Sequence, residues 1–235
     1  MMSAEDGIRG WELARTPVAV VDFETTGLNP GHDRVIEVSV VRIEPEGEQK
    51  LVFDTLVNPG RPVAATYIHG IADEDVRDAP NFEEIAGGLV GVLRGCVIAA
   101  YNVYFDMRFL RYELGRVGME CPVPHVCLMY MRPMLGLGSR CRLEEACELC
   151  GIQWGPSHQA AADALAAAKL WDVYLAAASQ RRATTFGDIA RFGSYKFVKS
   201  FQHLPFGYSA VEKLNSGGRL KSRWNRRWRG AGPIP

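Results

Sequence analysis

Residues 17–25, Pro-Val-Ala-Val-Val-Asp-Phe-Glu-Thr, place two opposing demands on the fold. Val18 to Val21 form an apolar, mostly β-branched run of the kind that fits a strand covered on both faces. Asp22 and Glu24 then follow two apart, so the strand's pleat turns both carboxylates to one side. The run therefore predicts a central strand that ends in an acidic pair. Two like charges a few ångströms apart resist ionising together, and a divalent cation or a raised pKa resolves the conflict. Taken alone, Asp-x-Glu also suits the solvated face of an edge strand, and short motifs recur by chance.

The rest of the chain supplies partners for that strand. VIEVSVVRIE (35–44) puts Ile36, Val38 and Val40 on one face, and LVFDTLV (51–57) alternates similarly after the turn-like EPEGEQ. Both are expected as antiparallel strands, the second ending at Asn58-Pro59-Gly60. A helix is expected from about Asn81 to Arg94, then the strand CVIAAYN (96–102), then the helix YFDMRFLRYELGRVG (104–118), which Gly118 stops. From Cys127 onward the pattern reads as helical: CLMYMRPML, RLEEACELCG and the Ala/Leu-rich QAAADALAAAKLWDVYLAAA (159–178), with Ser157 as a plausible cap. This order predicts an α/β domain with a mixed sheet flanked by helices. At roughly 150 residues per domain, the 235 residues hold one main core. We expect an N-terminal extension over 1–15, the domain over 16–179, and a basic, aromatic-rich C-terminal extension over 180–235.

Composition excludes several classes. Apolar residues make up 47% and charged residues 23%, and no run approaches the roughly 18 apolar residues of a membrane span. A membrane-embedded or wholly disordered chain is ruled out on these numbers. The opening MMSAEDGIRG has no apolar stretch of a secretory signal, so a cytoplasmic protein is expected. There the six cysteines meet a reducing environment. Cys141, Cys147 and Cys150, with Cys121, Cys127 and His125 upstream, are spaced irregularly for zinc and fall largely in a helical pattern, so buried thiols are the expectation. A zinc-stabilised interaction protein is nevertheless one function to weigh. The formal charge of zero hides an asymmetry: residues 180–235 hold 12 Lys and Arg against 2 Asp and Glu, leaving 27 − 12 = 15 against 27 − 2 = 25 before them. In that segment Phe186, Phe192, Tyr195, Phe197, Phe201, Phe206, Tyr208, Trp224 and Trp228 interleave with the cations. Such a mixture either binds phosphates and stacks on bases, or packs its aromatics on the domain and exposes its charge.

Two further acids change the weight of the first pair. Asp106 opens a helix after an apolar strand, and Asp163 stands among alanines with His158 five residues earlier. An acid on a helix that otherwise looks packed is costly to bury without a cation, although it could also face solvent or cap a neighbour. Four carboxylates from three separate elements suit a site with two Mg²⁺ ions for in-line attack on phosphate. Histidine, whose unperturbed pKa is about 6.5, has the basicity to take a proton at neutral pH, where Lys and Arg do not.

VVDFETTGL, AAYNVYFDMRFL and HQAAADA together resemble the three ordered motifs of the DnaQ-like, DEDDh-type 3′-5′ exonucleases, the family of the proofreading epsilon subunit of DNA polymerase III, RNase T and oligoribonucleases. The resemblance covers about residues 16–178. It implies an RNase H-like fold and a metal-dependent exonuclease that releases nucleoside 5′-monophosphates from single-stranded or frayed 3′ ends, with DNA favoured over RNA. It implies that Asp22, Glu24, Asp106 and Asp163 hold two divalent cations, Mg²⁺ or Mn²⁺, and that His158 is the general base. It also implies substrate contacts from Thr25, Thr26, Gly27 and Leu28, from Ile68 and His69 in the Tyr67-to-Ile71 segment, and from Asn102 and Phe105. Many relatives have His before that Asn, where this chain has Tyr101. Expected partners are DNA or RNA 3′ ends and a polymerase or other protein, with an oligomer also open. The alternative is a catalytically silent nucleic-acid-binding or polymerase-associated module on the same fold, for which one would expect a lost carboxylate or His.

Overall fold

The computed structural model describes residues 7–119, 124–153, 155 and 159–207. Five strands form one mixed sheet: β1 (Val18–Thr25), β2 (Val35–Ile43), β3 (Gln49–Leu56), β4 (Val97–Ala100) and β5 (His125–Cys127), in the order β3-β2-β1-β4-β5. β1 and β2 pair antiparallel, as do β2 and β3, whereas β4 runs parallel to β1 and β5 parallel to β4. β1 is central, as its apolar run predicts, with Val18 to Val21 all buried. The sequence pattern predicted four strands, and β5 corrects it. Three residues are too few to show alternation; pairing with β4, through Ile98–His125 and Ala100–Cys127, makes the segment a strand.

Among the described residues eight α-helices flank the sheet: α1 (Thr66–His69), α2 (Asp73–Val76), α3 (Phe82–Leu93), α4 (Val103–Arg116), α5 (Leu128–Met134), α6 (Leu143–Leu149), α7 (Ala160–Gln180) and α8 (Phe186–Ala190). The short α1 and α2 are additions to the sequence reading. α3 begins at a reciprocal cap, Asn81 accepting the Glu84 N–H and Glu84 accepting the Asn81 N–H. Gly118, at φ 71°, follows α4 in the left-handed conformation that ends a helix. α7 lies across β1 and β2. Its buried alanines Ala160, Ala164, Ala167 and Ala168 have nothing beyond Cβ, which lets the helix approach the sheet closely. Gln49 Nε2 donates to the Ala168 carbonyl, fixing α7 on the Asp22 and Glu24 face of the sheet.

The two ends of the described chain meet. Ile8 and Leu13 share the main core with Phe186, Ile189, Phe197 and Phe201. The Ile8 N–H donates to the Phe201 carbonyl, Leu13 N–H to Thr184, and Gly187 N–H to Arg9. Periodicity is lost after residue 180, yet packing continues without a break. Phe186, Phe197 and Phe201 are fully buried and serve as packing residues, not as a base-stacking strip, while Phe192, Tyr195 and Phe206 are half-buried against the core. Tyr208, Trp224 and Trp228 lie outside the described residues.

Cys96, Cys127 and Cys147 are buried, and burial pushes each thiol up to about 11. Cys141 and Cys150 are half-buried, and Cys121 lies outside the described residues. Among the described residues no helix is long and apolar enough to cross a membrane.

Candidate active site

The sheet register builds the site. β4 pairs with β1 only through Val18, Ala19 and Val20, so the carboxyl-terminal half of β1 is open on that side. Asp106 stands in the first turn of α4, and its pKa is influenced by burial, by the neighbouring Phe23 backbone and by the Glu24 carboxylate. On the face toward α7, Asp22 and Glu24 project together, and Asp163 arrives from the first turn of that helix. Oxygens of Asp22, Glu24 and Asp163 lie within 4.8 Å of one another. Among the described residues this is the one set of His, Cys, Asp or Glu side chains grouped closely enough to hold a metal ion. His158 lies outside the described residues.

A fifth acid escaped the sequence reading. Glu37 stands opposite Glu24 in the antiparallel register, and its Oε2 accepts the Ala160 N–H at 3.0 Å. It thereby caps α7, whose own N-cap residue, Gln159, gives no side-chain bond. The available signal was an acid inside the apolar run VIEVSVV, but only the strand register sets it beside Glu24.

Electrostatics follow from this crowding. Burial, then Asp106, Asp163, Glu24 and Glu37, drives Asp22 well above the ordinary carboxylate range. Glu24 is pushed up to about 7 by burial and by Glu37 and Asp163. Asp106 rises to about 8, chiefly by burial, against the opposing pull of the neighbouring backbone. Glu37 also rises, again mainly from burial. None of the ion pairs among the described residues involves Asp22, Glu24 or Asp106. A cluster of hard carboxylate oxygen donors at this spacing is chemically suited to a divalent metal ion.

The expected substrate contacts divide into buried and open groups. Thr25 and Thr26 are buried, and their hydroxyls bond within the loop: Thr25 Oγ1 to the Gly27 carbonyl, and Thr26 Oγ1 accepting the Arg34 N–H. A Cβ on Gly27 would stand 2.6 Å from the Asp33 carboxyl, so this position demands glycine. Leu28 projects from the loop at 72% exposure. Tyr67 and Ile68 are exposed, whereas His69 is buried, with Nδ1 accepting the Ile71 N–H and Nε2 facing the Ala64 carbonyl at 3.1 Å. Asn102 is exposed just before α4, and Phe105 packs on Phe109 with ring centroids 5.0 Å apart. Tyr101 is buried, its hydroxyl donating toward the carbonyls of Cys141 and Arg142 at 2.8 and 3.0 Å.

Comparison with known proteins gives the constellation a lineage. The RNase T exonuclease family model matches residues 19–171, which include Asp22, Glu24, Asp106 and Asp163. The chain belongs to the DnaQ-like 3′-5′ exonuclease family. A DNA polymerase III subunit epsilon-like protein of Rhodobacter capsulatus is 35% identical over 198 residues, 77% of this chain and 28% of that protein. The DNA polymerase III epsilon subunit of Pasteurella multocida is 31% identical over 145 residues, 57% of each chain. The chain thus spans well under two thirds of these relatives. The exonuclease fold is shared with E. coli exonuclease I, crystallised with a dT13 oligonucleotide, at TM-score 0.63 and 20% identity over 72% of this chain and 43% of that one. Exonuclease X in complex with 5′ overhanging duplex DNA aligns at TM-score 0.57 and 21% identity, over 75% of this chain and 99% of that one. The sheet flanked by helices is the RNase H-like exonuclease fold expected from the motifs. This family depends on divalent metal, in keeping with the carboxylate cluster.

Proposed function

We propose that this protein is a cytoplasmic 3′-5′ exonuclease that hydrolyses the terminal phosphodiester of single-stranded or frayed DNA and releases nucleoside 5′-monophosphates. The observation that carries the reading is the convergence of Asp22, Glu24 and Asp163, with Asp106 bearing on Asp22 from α4, and no protein cation paired with Asp22, Glu24 or Asp106 among the described residues. Asp22, Glu24, Asp106 and Asp163 would hold two Mg²⁺ or Mn²⁺ ions. When bound, such ions neutralise the phosphate and stabilise charge on the entering and departing oxygens. Every other task falls to the chain. His158 takes the proton of the attacking water, as its basicity allows. The 25–28 loop, held rigid around Asp33, presents backbone and Leu28 to the terminal nucleotide, with Ile68, His69, Asn102 and Phe105 completing its surroundings.

Retention of all four carboxylates and of His158 argues against the silent module. DNA is preferred because the similar curated proteins include DNA polymerase III subunits, which also makes a polymerase the preferred protein partner. The test is digestion of 5′-labelled single-stranded DNA and RNA of matched sequence, with Mg²⁺ or chelator, by wild type and Asp163→Asn. Shortening from the 3′ end by wild type with Mg²⁺ alone, faster on DNA, is the expected result. Intact substrate in every lane defeats the reading.

A further inference from the structure

At the end of the sheet where the parallel strands β1, β4 and β5 finish, Met129 at the start of α5 borders an open cleft of about 820 Å³. Met129, Ser139, Arg140, Arg142, Glu145 and Tyr195 line it. Its outer wall, the loop 138–142, is clamped at both ends by buried donors. Arg132, 5% exposed, gives its Nε–H to the Ser139 carbonyl, and Tyr101, 8% exposed, holds the Cys141 and Arg142 carbonyls. Tyr101 immediately precedes Asn102 and α4, so the loop is tied to the strand end that leads to Asp106. The Arg140 guanidinium lies over the Tyr130 ring, 4.7 Å from its centroid, and the Tyr195 ring packs on Tyr130 at 4.8 Å. Arg140 and Arg142 are exposed, and neither forms an ion pair among the described residues. Cation–π contact orients a guanidinium through its face and leaves its N–H edge available.

We propose that this cleft binds the sugar-phosphate backbone of a single-stranded nucleic acid, upstream of the nucleotide being removed, with Arg140 and Arg142 on phosphates and Tyr195 beside the bases. Fixed cations next to aromatic rings are the elements that bind single strands without reading their sequence. The assignment of the upstream direction rests on the exonuclease reading, because that reading puts the 3′ end at the carboxylates. The cleft also gives Tyr101 a purpose: it positions the arginine loop.

The experiment compares wild type with Arg140→Gln/Arg142→Gln, both full chains, by fluorescence anisotropy in chelator. The probes are a labelled oligothymidylate of about ten nucleotides and a labelled thymidine dinucleotide. The double variant is expected to bind the longer strand roughly tenfold more weakly at low salt, and its log-affinity against log-salt slope is expected to fall by about 1.4, or about 0.7 per lost phosphate contact. Dinucleotide binding should stay the same. Unchanged affinity and slope for the longer strand overturn the proposal, as does an equal loss on both probes. Turnover of the wild type with Mg²⁺, scored in parallel, reports on the exonuclease reading alone. A wild type that binds through both arginines yet never shortens the strand defeats that reading and leaves the cleft standing.

Discussion

α4 carries two buried acids, Asp106 in its first turn and Glu113 two turns later, and the protein treats them in opposite ways. Glu113 receives both the Nε and Nη2 of Arg34, at 2.6 and 2.9 Å, and Nη1 of Arg116 at 3.2 Å. Asp106 is buried against further carboxylates, and its pKa climbs to about 8. A buried charge matched by a planar guanidinium is part of the scaffold, here pinning the loop after β1 to α4. Buried acids left to repel one another impose a cost on the folded protein that a bound cation relieves, which marks that end of the helix as the site.

Neutralising acids of the carboxylate cluster should separate activity from stability most widely. Asp22→Asn and Asp163→Asn are expected to lose on the order of a thousandfold or more in turnover, from lost charge stabilisation worth several kcal/mol. Their melting temperature in chelator should hold or rise. A fall in chelated stability for both variants would break the contrast with Glu113. His158→Ala should lower kcat by roughly 10²–10⁴, while Mg²⁺ binding, followed calorimetrically, is retained. Wild-type turnover in that variant would remove His158 from the mechanism.

At the matched end the order reverses. Glu113→Ala leaves Arg34 largely buried without its partner and should cost about 3–5 kcal/mol in urea unfolding. An effect under about 1 kcal/mol would mean that the pair behaves as a surface bridge, and the scaffold assignment would fail.

The smallest effect is one of pH. In chelator, Glu24 and Asp106 have folded pKa values of about 7 and about 8, above their ordinary values of 4.5 and 3.8. Between those limits the folded state holds more protons than the unfolded chain, so stability falls as pH rises from about 4 to about 8 and then levels. Saturating Mg²⁺ should flatten this decline, with its largest gain in melting temperature near the upper end. A melting temperature in chelator that climbs across that range would contradict the raised values.

Much of the fold and the site could be read from particular residues. Val18–Val21 predicted the central strand, and the alanines and leucines around Asp163 predicted a helix. The four carboxylates stood out because each occupies an otherwise apolar pattern. β5 was hidden because three residues show no period, and the packed role of Phe186, Phe197 and Phe201 because their spacing follows irregular and short helical turns. Glu37 looked like an ordinary polar position until the β1–β2 register set it against Glu24.

By itself, then, the order of residues determined which side chains are candidates for the chemistry, since backbone periodicity and side-chain type are local properties. Their meeting was decided elsewhere. Asp163 reaches Asp22 from 141 positions along the chain, Glu113 finds Arg34 across 79, and Tyr101 holds a loop 40 residues on. Such contacts exist only once the sheet has formed, because strand pairing and helix packing convert distance in sequence into a few ångströms of space, and burial there decides which charges are matched.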